Sequence, residues 1–254
     1  MCGMEGVVEL SPPAQGVRLF LTPVQPRTLA EVPLADAHEV ATFATEKRRN
    51  EHLSGRWLLG QALALLGETD LSVIEVERNE QRAPSLAFIQ GVWRRTALPS
   101  LSIAHSQGAV VVALGPPERC IGVDIEPLER TLAPNAFDLI AKGAELDRLR
   151  KHPETSMRLW TGKEAVQKAM ALGMHLNPRG IEIPIGDDWV EFPIEESNIQ
   201  LKYWKEYDYH FSLALRPKPT PSPTPEDALL DQTLLAMEAN PDWGVGCNTQ
   251  RNVR

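Results

Sequence analysis

A proline at every second position of residues 217–225, PKPTPSPTP, limits what this chain can fold into. Each proline lacks the backbone N–H that a helix or a sheet interior needs, so we expect this stretch to be extended and solvated. Beyond it, residues 226–240 carry an apolar stripe at helical spacing, made of Leu229, Leu230, Leu234 and Met237. The folded body is therefore predicted at about residues 16–216. The remainder is a linker and an appendage, either a poorly ordered tail with one marginal helix or a helix that docks a partner.

The composition excludes several classes of protein. The 254 residues suffice for one large domain or two small ones, and no apolar run reaches the ~18–20 residues of a membrane helix. The N-terminus lacks the basic and apolar regions of a secretion signal, so a cytoplasmic protein is expected. Cys2, Cys120 and Cys247 form no CxxC pair, which argues against a disulfide framework or a zinc site. A net charge of −8 argues against nucleic-acid binding, so an anionic ligand requires a local basic cluster.

Helical and strand patterns alternate along the body and favour an α+β fold of two similar halves. A weak internal sequence similarity supports a repeat. GRWLLGQALALLG (55–67) followed by IEV resembles GKEAVQKAMALG (162–173) followed by IEI. A hairpin is predicted between the strands at 109–115 and 120–127. The predicted helices are 36–43, 46–66, about 135–150 and 155–172; the predicted strands are 71–77, 98–106, 109–115, 120–127, 181–185, 189–192, 199–204 and 209–215.

The strand IGVDIEP (121–127) carries the first candidate chemistry. Because strand side chains alternate between faces, the aliphatic residues of this strand point to the core, and Gly122, Asp124 and Glu126 share the opposite face. Two carboxylates about 7 Å apart along a strand repel each other, and a divalent cation relieves that repulsion. Oxygen ligands alone favour Mg²⁺ or Mn²⁺ over zinc, and Gly122 leaves room for a bulky neighbour. The same pattern also fits an ordinary strand with a solvated polar face.

The helix RLWTGKEAVQKAM (158–170) carries a possible third carboxylate. At ~100° per residue, Glu164 and Lys168 lie away from the apolar stripe and are i, i+4 neighbours. They form either an exposed ion pair or part of a site with Asp124 and Glu126. Lys163 lies nearer the buried edge, where a structural carboxylate can pair with it.

A basic helix supplies candidate anion-binding residues. Arg48 and Arg56 are a little over two turns apart and can face one ligand, and arginine forks suit phosphate oxygens. Arg82 lies on a loop, and His105, in SIAHS, lies just before a strand. A solvated helix face and a loop histidine without a ligand are the alternatives.

Together these residues resemble the 4′-phosphopantetheinyl transferase superfamily, of the type that activates surfactin and enterobactin synthetases. That family carries a (I/V)G(I/V)D(I/V)E strand, here residues 121–126, and then a W(S/T)xKExxxK helix, here residues 160–168. A basic KRRxEhxxxR helix (47–56) and an SHS element (104–106) precede them in the same order. Ala104 replaces the usual first serine, a possible hydroxyl donor to a phosphate, and QRAP, with Arg82, replaces the usual GKP.

The resemblance implies an α+β fold with two pseudo-symmetric halves, each a small antiparallel sheet packed with helices. The halves would be residues 1–119 and 120–216, followed by the appendage at 217–254, and coenzyme A would bind in the cleft between the halves. Mg²⁺, or Mn²⁺, would be held by Asp124, Glu126 and Glu164. The residues expected to contact coenzyme A are Arg48, Arg56, Arg82, His105, Asp124 and Lys168.

The implied reaction moves the phosphopantetheine arm of coenzyme A to a serine of an acyl or peptidyl carrier protein and releases adenosine 3′,5′-bisphosphate. Glu164 would act as the base, or a metal-bound water would relay the proton, and Lys168 would stabilise charge on the phosphate. Carriers of fatty-acid, polyketide and nonribosomal-peptide systems are acidic, so recognition by this acidic monomer would depend on apolar contacts and on Arg148 and Arg150. The alternatives are a non-catalytic module that binds coenzyme A or a carrier, and a Mg²⁺-dependent phosphohydrolase.

Overall fold

The N-terminal part of the body is an antiparallel sheet with a long helix on one face. The computed structural model describes residues 6–11, 13–92, 94 and 96–219. The sheet contains, in spatial order, β1 (Val8–Glu9), β2 (Arg18–Pro23), β6 (Ala109–Gly115) and β5 (Ser100–Ser106). Helix α2 (Glu46–Leu65) begins after Thr45, whose side chain accepts a hydrogen bond from the backbone N–H of Arg48, and packs its aliphatic side chains against β2 and β6.

A second antiparallel sheet forms the C-terminal part of the body. Its spatial order is β7 (Arg119–Pro127), β10 (Tyr209–Pro217), β9 (Ser197–Glu206) and β8 (Val190–Ile194). Helix α5 (Ser156–Ala169) packs on this sheet through Ala165, Val166 and Ala169. The smaller elements are α1 (Ala37–Ala41), β3 (Ile74–Arg78), β4 (Pro84–Phe88), α3 (Phe137–Ile140) and α4 (Gly143–Lys151).

The two sheets pack against each other through alternate residues of their strands. Leu19 and Leu21 of β2 share one buried cluster with Val123 of β7, whereas Phe20 belongs to the cluster beneath α2. This alternation places the shared core between the sheets and the two long helices on their outer faces. The predicted α+β class, with two antiparallel sheets each packed against helices, is confirmed.

Gly122 allows α5 to approach β7 closely. A Cβ atom added at this position would meet the backbone carbonyl oxygen of Ala165 at 1.9 Å and the backbone nitrogen of Ala169 at 2.5 Å. The space beside Gly122, which the sequence assigned to a bulky neighbour, is therefore filled by helix backbone. Because backbone atoms cannot rotate away, a side chain here must push α5 off the sheet.

We expect Gly122→Ala to lower the free energy of unfolding by about 1–3 kcal/mol, the range for overpacking a close-packed core. Gly180→Ala is the matched control, because a Cβ atom there meets nothing within 4 Å, and we expect it to stay within about 0.5 kcal/mol of the parent. Urea denaturation measures both values. Equal stability of the two variants would show that the helix gives way at little cost.

Two predicted features of the strands are wrong. β6 does not form a hairpin with β7, because β5 and β2 already occupy both edges of β6, and β7 pairs with β10 instead. Residues 181–185 are not a strand. The backbone groups of this segment form hydrogen bonds with side chains and not with a neighbouring strand. The N–H of Ile183 donates to Glu145, and the carbonyl oxygen of Ile181 accepts from Lys163.

The predicted helix at 226–240 and its apolar stripe lie outside the described residues. Within the described ranges, no helix has both the length and the apolar content needed to cross a bilayer.

Candidate active site

Asp124 and Glu126 are buried on the face of β7 that the sequence assigned to them, each with 7% exposure. Val123 and Ile125 point the other way, into the core between the sheets. The face with the carboxylates is covered and not solvated. The hydroxyl of Thr161 in α5 lies 2.8 Å from that of Ser212, the β10 residue opposite Asp124.

Only one of the two oxygens of the Asp124 carboxylate has a hydrogen-bond partner among the described residues. Lys168 Nζ donates to its Oδ1 at 2.7 Å and to the carbonyl oxygen of Val123 at 3.0 Å. Its other oxygen, Oδ2, is buried without a hydrogen-bond partner in the part of the chain that the structure describes. Burial raises the pKa of Asp124 to about 6, although Lys168 opposes the shift and the carboxylates of Glu164 and Glu126 add to it. Negative charge is thus concentrated here and incompletely neutralised.

Glu164 lies on α5 one turn before Lys168 and is partly exposed. The predicted alternative, an ion pair between Glu164 and Lys168, is wrong, because Lys168 binds Asp124. Among the described residues, no hydrogen-bond or ion-pair partner is found for the Glu164 carboxylate. The charge of Glu164 contributes to the raised pKa of Asp124.

Glu126 is held by two residues that the sequence did not single out for it. Ser106 on β5 donates a short hydrogen bond to Oε2, and Arg130 Nη1 lies 2.5 Å from Oε1. Ser106 ends the strand that also carries His105, and Arg130 follows Glu126 by four residues. Ala104 is buried in the core between the sheets.

The carboxylates suit a hard divalent cation by donor type, since oxygen ligands are those that Mg²⁺ prefers. The buried, unpartnered Oδ2 of Asp124 and the Glu164 carboxylate are available for one, whereas both oxygens of Glu126 already have partners. Across the described ranges, no three His, Cys, Asp or Glu side chains already converge closely enough to hold a metal. The metal triad therefore stays a prediction.

Lys163 has a structural role. Its ammonium is fully buried and donates to Glu145 Oε2 at 2.5 Å and to the carbonyl oxygens of Ile140, Pro178 and Ile181. Burial lowers the pKa of Lys163, and the charge of Glu145 opposes that shift. The predicted pairing of Lys163 with a structural carboxylate is confirmed, and the pair fixes the loop after α5 to α4.

A cleft of about 590 Å³ lies beside this site and brings together the predicted phosphate-binding residues. Arg48 is largely exposed, with its Nη1 3.3 Å from Glu51 Oε2, and His105 Nδ1 lies 3.5 Å from the same oxygen. Burial lowers the pKa of His105, although the charge of Glu51 opposes the shift. The cleft lining also includes Arg56, Arg82 and Lys168.

Three arginines in this cleft, Arg56, Arg78 and Arg82, surround the carboxylate of Glu39 and are called the arginine cluster below. The Nη2 atom of Arg78 is 2.6 Å from Glu39 Oε1, that of Arg82 is 3.7 Å from the same oxygen, and that of Arg56 is 4.0 Å from Oε2. Sequence reasoning missed Arg78 and Glu39. Arg78 ends β3 opposite Pro84, and its side chain donates to the carbonyl oxygen of Arg82. Its place four residues before Arg82 is the signal that could have indicated it.

Residues 120–215 match the family model described as the 4′-phosphopantetheinyl transferase superfamily. The matched segment begins in β7 and ends in β10, so it contains Asp124, Glu126, Glu164 and Lys168. No curated protein matches the chain.

Proposed function

Because residues 120–215 form a domain of the 4′-phosphopantetheinyl transferase superfamily, we propose that this protein transfers the phosphopantetheine arm of coenzyme A to a serine of an apo carrier protein. The observation that carries the proposal is the position of Asp124 within the matched segment. Its unpartnered Oδ2 and its contact with Lys168 lie next to a cleft lined with arginines.

Coenzyme A would bind between two functional halves, residues 1–119 and 120–216, with residues 217–254 as an appendage. Both halves contribute to the cleft, since Arg48 lies on α2 and Lys168 on α5. Arg48, Arg56, Arg82 and His105 would bind the phosphates of its adenosine end. Arginine forks are well suited to phosphate oxygens because they donate two parallel hydrogen bonds.

Asp124 and Glu164 would hold Mg²⁺, or Mn²⁺, beside the pyrophosphate of coenzyme A. Glu126 would join them through the lone pairs of its carboxylate that Ser106 and Arg130 do not use. When bound, the cation neutralises negative charge on the pyrophosphate that would otherwise repel the attacking oxygen. Ser106 and Arg130 would keep Glu126 in place. Asp124 would be kept in place by Lys168, which leaves Oδ2 free.

The transfer is a substitution at phosphorus. Glu164 accepts the proton of the carrier serine, because a serine hydroxyl is a weak nucleophile until a base removes that proton. The serine oxygen then forms a bond to the phosphorus that bears the pantetheine arm. The bond from this phosphorus to the bridging oxygen of the pyrophosphate breaks, and adenosine 3′,5′-bisphosphate leaves with the electron pair. Lys168 stabilises the charge that develops on the phosphate oxygens.

The carrier protein would be recognised beside the cleft. An acidic carrier and a chain of net charge −8 repel each other at long range, so local contacts must supply the attraction. Arg148 lines a mostly apolar pocket of about 270 Å³ with Leu149 and Leu159, and Arg150 forms an ion pair with Asp138 on the exposed side of α3. Arg148 combines a positive charge with the apolar wall of that pocket, so we favour it over Arg150 for contact with a carrier. The protein would act as a monomer with an internal pseudo-dimer.

The test is incubation of the protein with coenzyme A, Mg²⁺ and a panel of apo carriers from fatty-acid, polyketide and nonribosomal-peptide systems. We expect at least one carrier to gain the mass of one phosphopantetheine arm. A carrier that binds but keeps its mass would favour a non-catalytic binding module. Free phosphopantetheine formed from coenzyme A without any carrier would favour a phosphohydrolase.

A further inference from the structure

Glu39 is an anion that the chain itself supplies to the arginine cluster. The carboxylate is only 17% exposed in its side chain, and His52 Nε2 lies 3.9 Å from its Oε2. Burial raises the pKa of Glu39, but the close contact with the Arg78 guanidinium and the surrounding positive charges outweigh that effect and bring the pKa below its ordinary value. Glu39 is therefore ionised at neutral pH.

The surroundings of Glu39 form a site built for negative charge. Arg56 is 4% exposed, and burial together with the charge of Arg78 lowers its pKa to about 10, against the opposing charge of Glu39. A guanidinium this buried remains charged at neutral pH and requires a counter-ion. His52 Nε2 is also buried, without a hydrogen-bond partner among the described residues, and burial and Arg56 lower the pKa of His52 to about 4. In the tautomer that carries its hydrogen on Nε2, neutral His52 can thus donate a hydrogen bond to an incoming anion.

The position of Glu39 is set by the short helix α1. Asp36 caps that helix by accepting hydrogen bonds from the backbone N–H groups of His38 and Glu39. α1 is short, with Val40 as its one buried residue, so its carboxylate can be displaced more easily than one on a long packed helix. The arginine cluster itself is carried by α2 and the β3–β4 hairpin.

We propose that Glu39 occupies a phosphate subsite formed by the arginine cluster, and that the terminal phosphate monoester of the ligand must displace it. The inference rests on the proposed function, in which that ligand is coenzyme A or adenosine 3′,5′-bisphosphate. It assigns Arg78 to the binding site and makes Glu39 a residue that determines specificity.

Displacement makes the subsite selective for charge. A tethered carboxylate has a high effective concentration at the arginines. A free monoanion, such as formate or a phosphodiester, therefore gains little binding free energy by replacing it. A phosphate monoester carries close to two negative charges at neutral pH and gains more from three guanidinium groups. The same competition would help the product leave, because Glu39 neutralises the cluster again as the phosphate departs.

The experiment measures, by calorimetry, the affinities of the parent, Glu39→Gln and Glu77→Gln for adenosine 3′,5′-bisphosphate and for 3′-dephospho-coenzyme A, which has no phosphate monoester. Glu77→Gln is the matched control, because Glu77 is exposed, immediately precedes Arg78, and points to the other side of β3. We expect Glu39→Gln to bind the bisphosphate about tenfold more tightly, since a like-charge competitor is removed. Binding of 3′-dephospho-coenzyme A should change by less than about twofold.

Two results would overturn the inference. Weaker binding of the bisphosphate by Glu39→Gln would mean that Glu39 orients the arginines. An equal gain for both nucleotides, or an equal gain in Glu77→Gln, would mean that the effect is one of overall charge.

Removal of Glu39 leaves Arg56 buried without its counter-ion, so stability is followed as well. We expect Glu39→Gln to be less thermostable than the parent in phosphate-free buffer and to gain more stability than the parent from inorganic phosphate. Glu39→Asp keeps the charge but shortens the side chain, and should be intermediate in both measurements. If inorganic phosphate stabilises Glu39→Gln and the parent equally, the subsite is not there.

Inorganic phosphate also separates this inference from the proposed function. If the parent neither binds coenzyme A nor modifies a carrier, yet phosphate stabilises Glu39→Gln selectively, the function is wrong and the subsite stands. If the parent modifies a carrier and Glu39→Gln changes neither phosphate nor nucleotide binding, the subsite is wrong and the function stands.

Discussion

Glu164→Gln is expected to lower kcat for carrier modification by about 10²–10⁴-fold, the range for loss of a general base. Glutamine keeps the shape of the side chain and an oxygen that can contact a cation, but it cannot accept the serine proton at neutral pH. Affinity for coenzyme A should fall much less, because in the proposed site the phosphates would be held chiefly by the arginines that line the cleft. The measurement is kcat at saturating coenzyme A and carrier, with calorimetry for coenzyme A binding.

Glu154→Gln is the control for this variant. Glu154 is exposed just before α5 and contacts His152 only among the described residues, so its replacement should leave kcat within about twofold. The role of Glu164 as base would be refuted if Glu164→Gln retained parental kcat across the pH range. The proton would then go to a water molecule.

Asp124→Asn is expected to lower kcat by about 10²–10³-fold at millimolar Mg²⁺, comparable to the loss of one major electrostatic contribution to a transition state. Asparagine still offers an oxygen to Lys168 but removes the charge that the unpartnered Oδ2 contributes. Alanine is a poorer choice, because it would leave the Lys168 ammonium with the carbonyl oxygen of Val123 alone. Stability should be nearly unchanged, since the charge of Asp124 is itself costly to bury.

Mg²⁺ binding provides a second measurement that does not require activity. We expect Mg²⁺ to raise the melting temperature of the parent and of Asp147→Asn, a control on the exposed face of α4, but not that of Asp124→Asn. Equal stabilisation of all three proteins by Mg²⁺ would place the cation elsewhere.

The sequence was sufficient for features that depend on local periodicity. The two-residue period of β7 placed Asp124 and Glu126 together, because alternation along a strand leaves no other choice. The extent of α2 could be predicted for a similar reason, since a stretch of strong helix formers lies between the capping residue Thr45 and Gly67. α5 begins close to its predicted start but ends at Ala169, before the predicted end at residue 172. The stripe on α5 also placed Lys163 toward the core.

Contacts between distant segments could not be predicted. β7 pairs with β10, which lies more than 80 residues later in the sequence, and nothing near β7 indicates this pairing. Strands adjacent in sequence usually pair, so the sequence favours β6 as the partner of β7. Burial of the face that carries Asp124 depends on α5, whose close approach is allowed by the absence of a side chain at Gly122. The pairing of Lys168 with Asp124 over Glu164 follows from that approach.

The ion pairs of the cleft could not be predicted from the sequence either. The basic residues of α2 could be recognised as candidates, but their acidic partners could not, because Glu39 lies on another helix and meets Arg78 of β3 only in the folded chain. The partners of Glu126 likewise come from β5 and from the loop after β7. Spacing can indicate which residues share a face, whereas the ion pairs among them depend on how the elements pack.

The most direct test of the account is the stoichiometry of a single incubation with coenzyme A, Mg²⁺ and an apo carrier. Intact-mass spectrometry measures holo carrier, and chromatography measures adenosine 3′,5′-bisphosphate in the same sample. We expect one bisphosphate for each carrier that gains a phosphopantetheine arm, and neither product when the acceptor serine of the carrier is replaced by alanine. Bisphosphate that accumulates without holo carrier, or in equal amount with the serine-less carrier, would contradict transfer to a carrier serine.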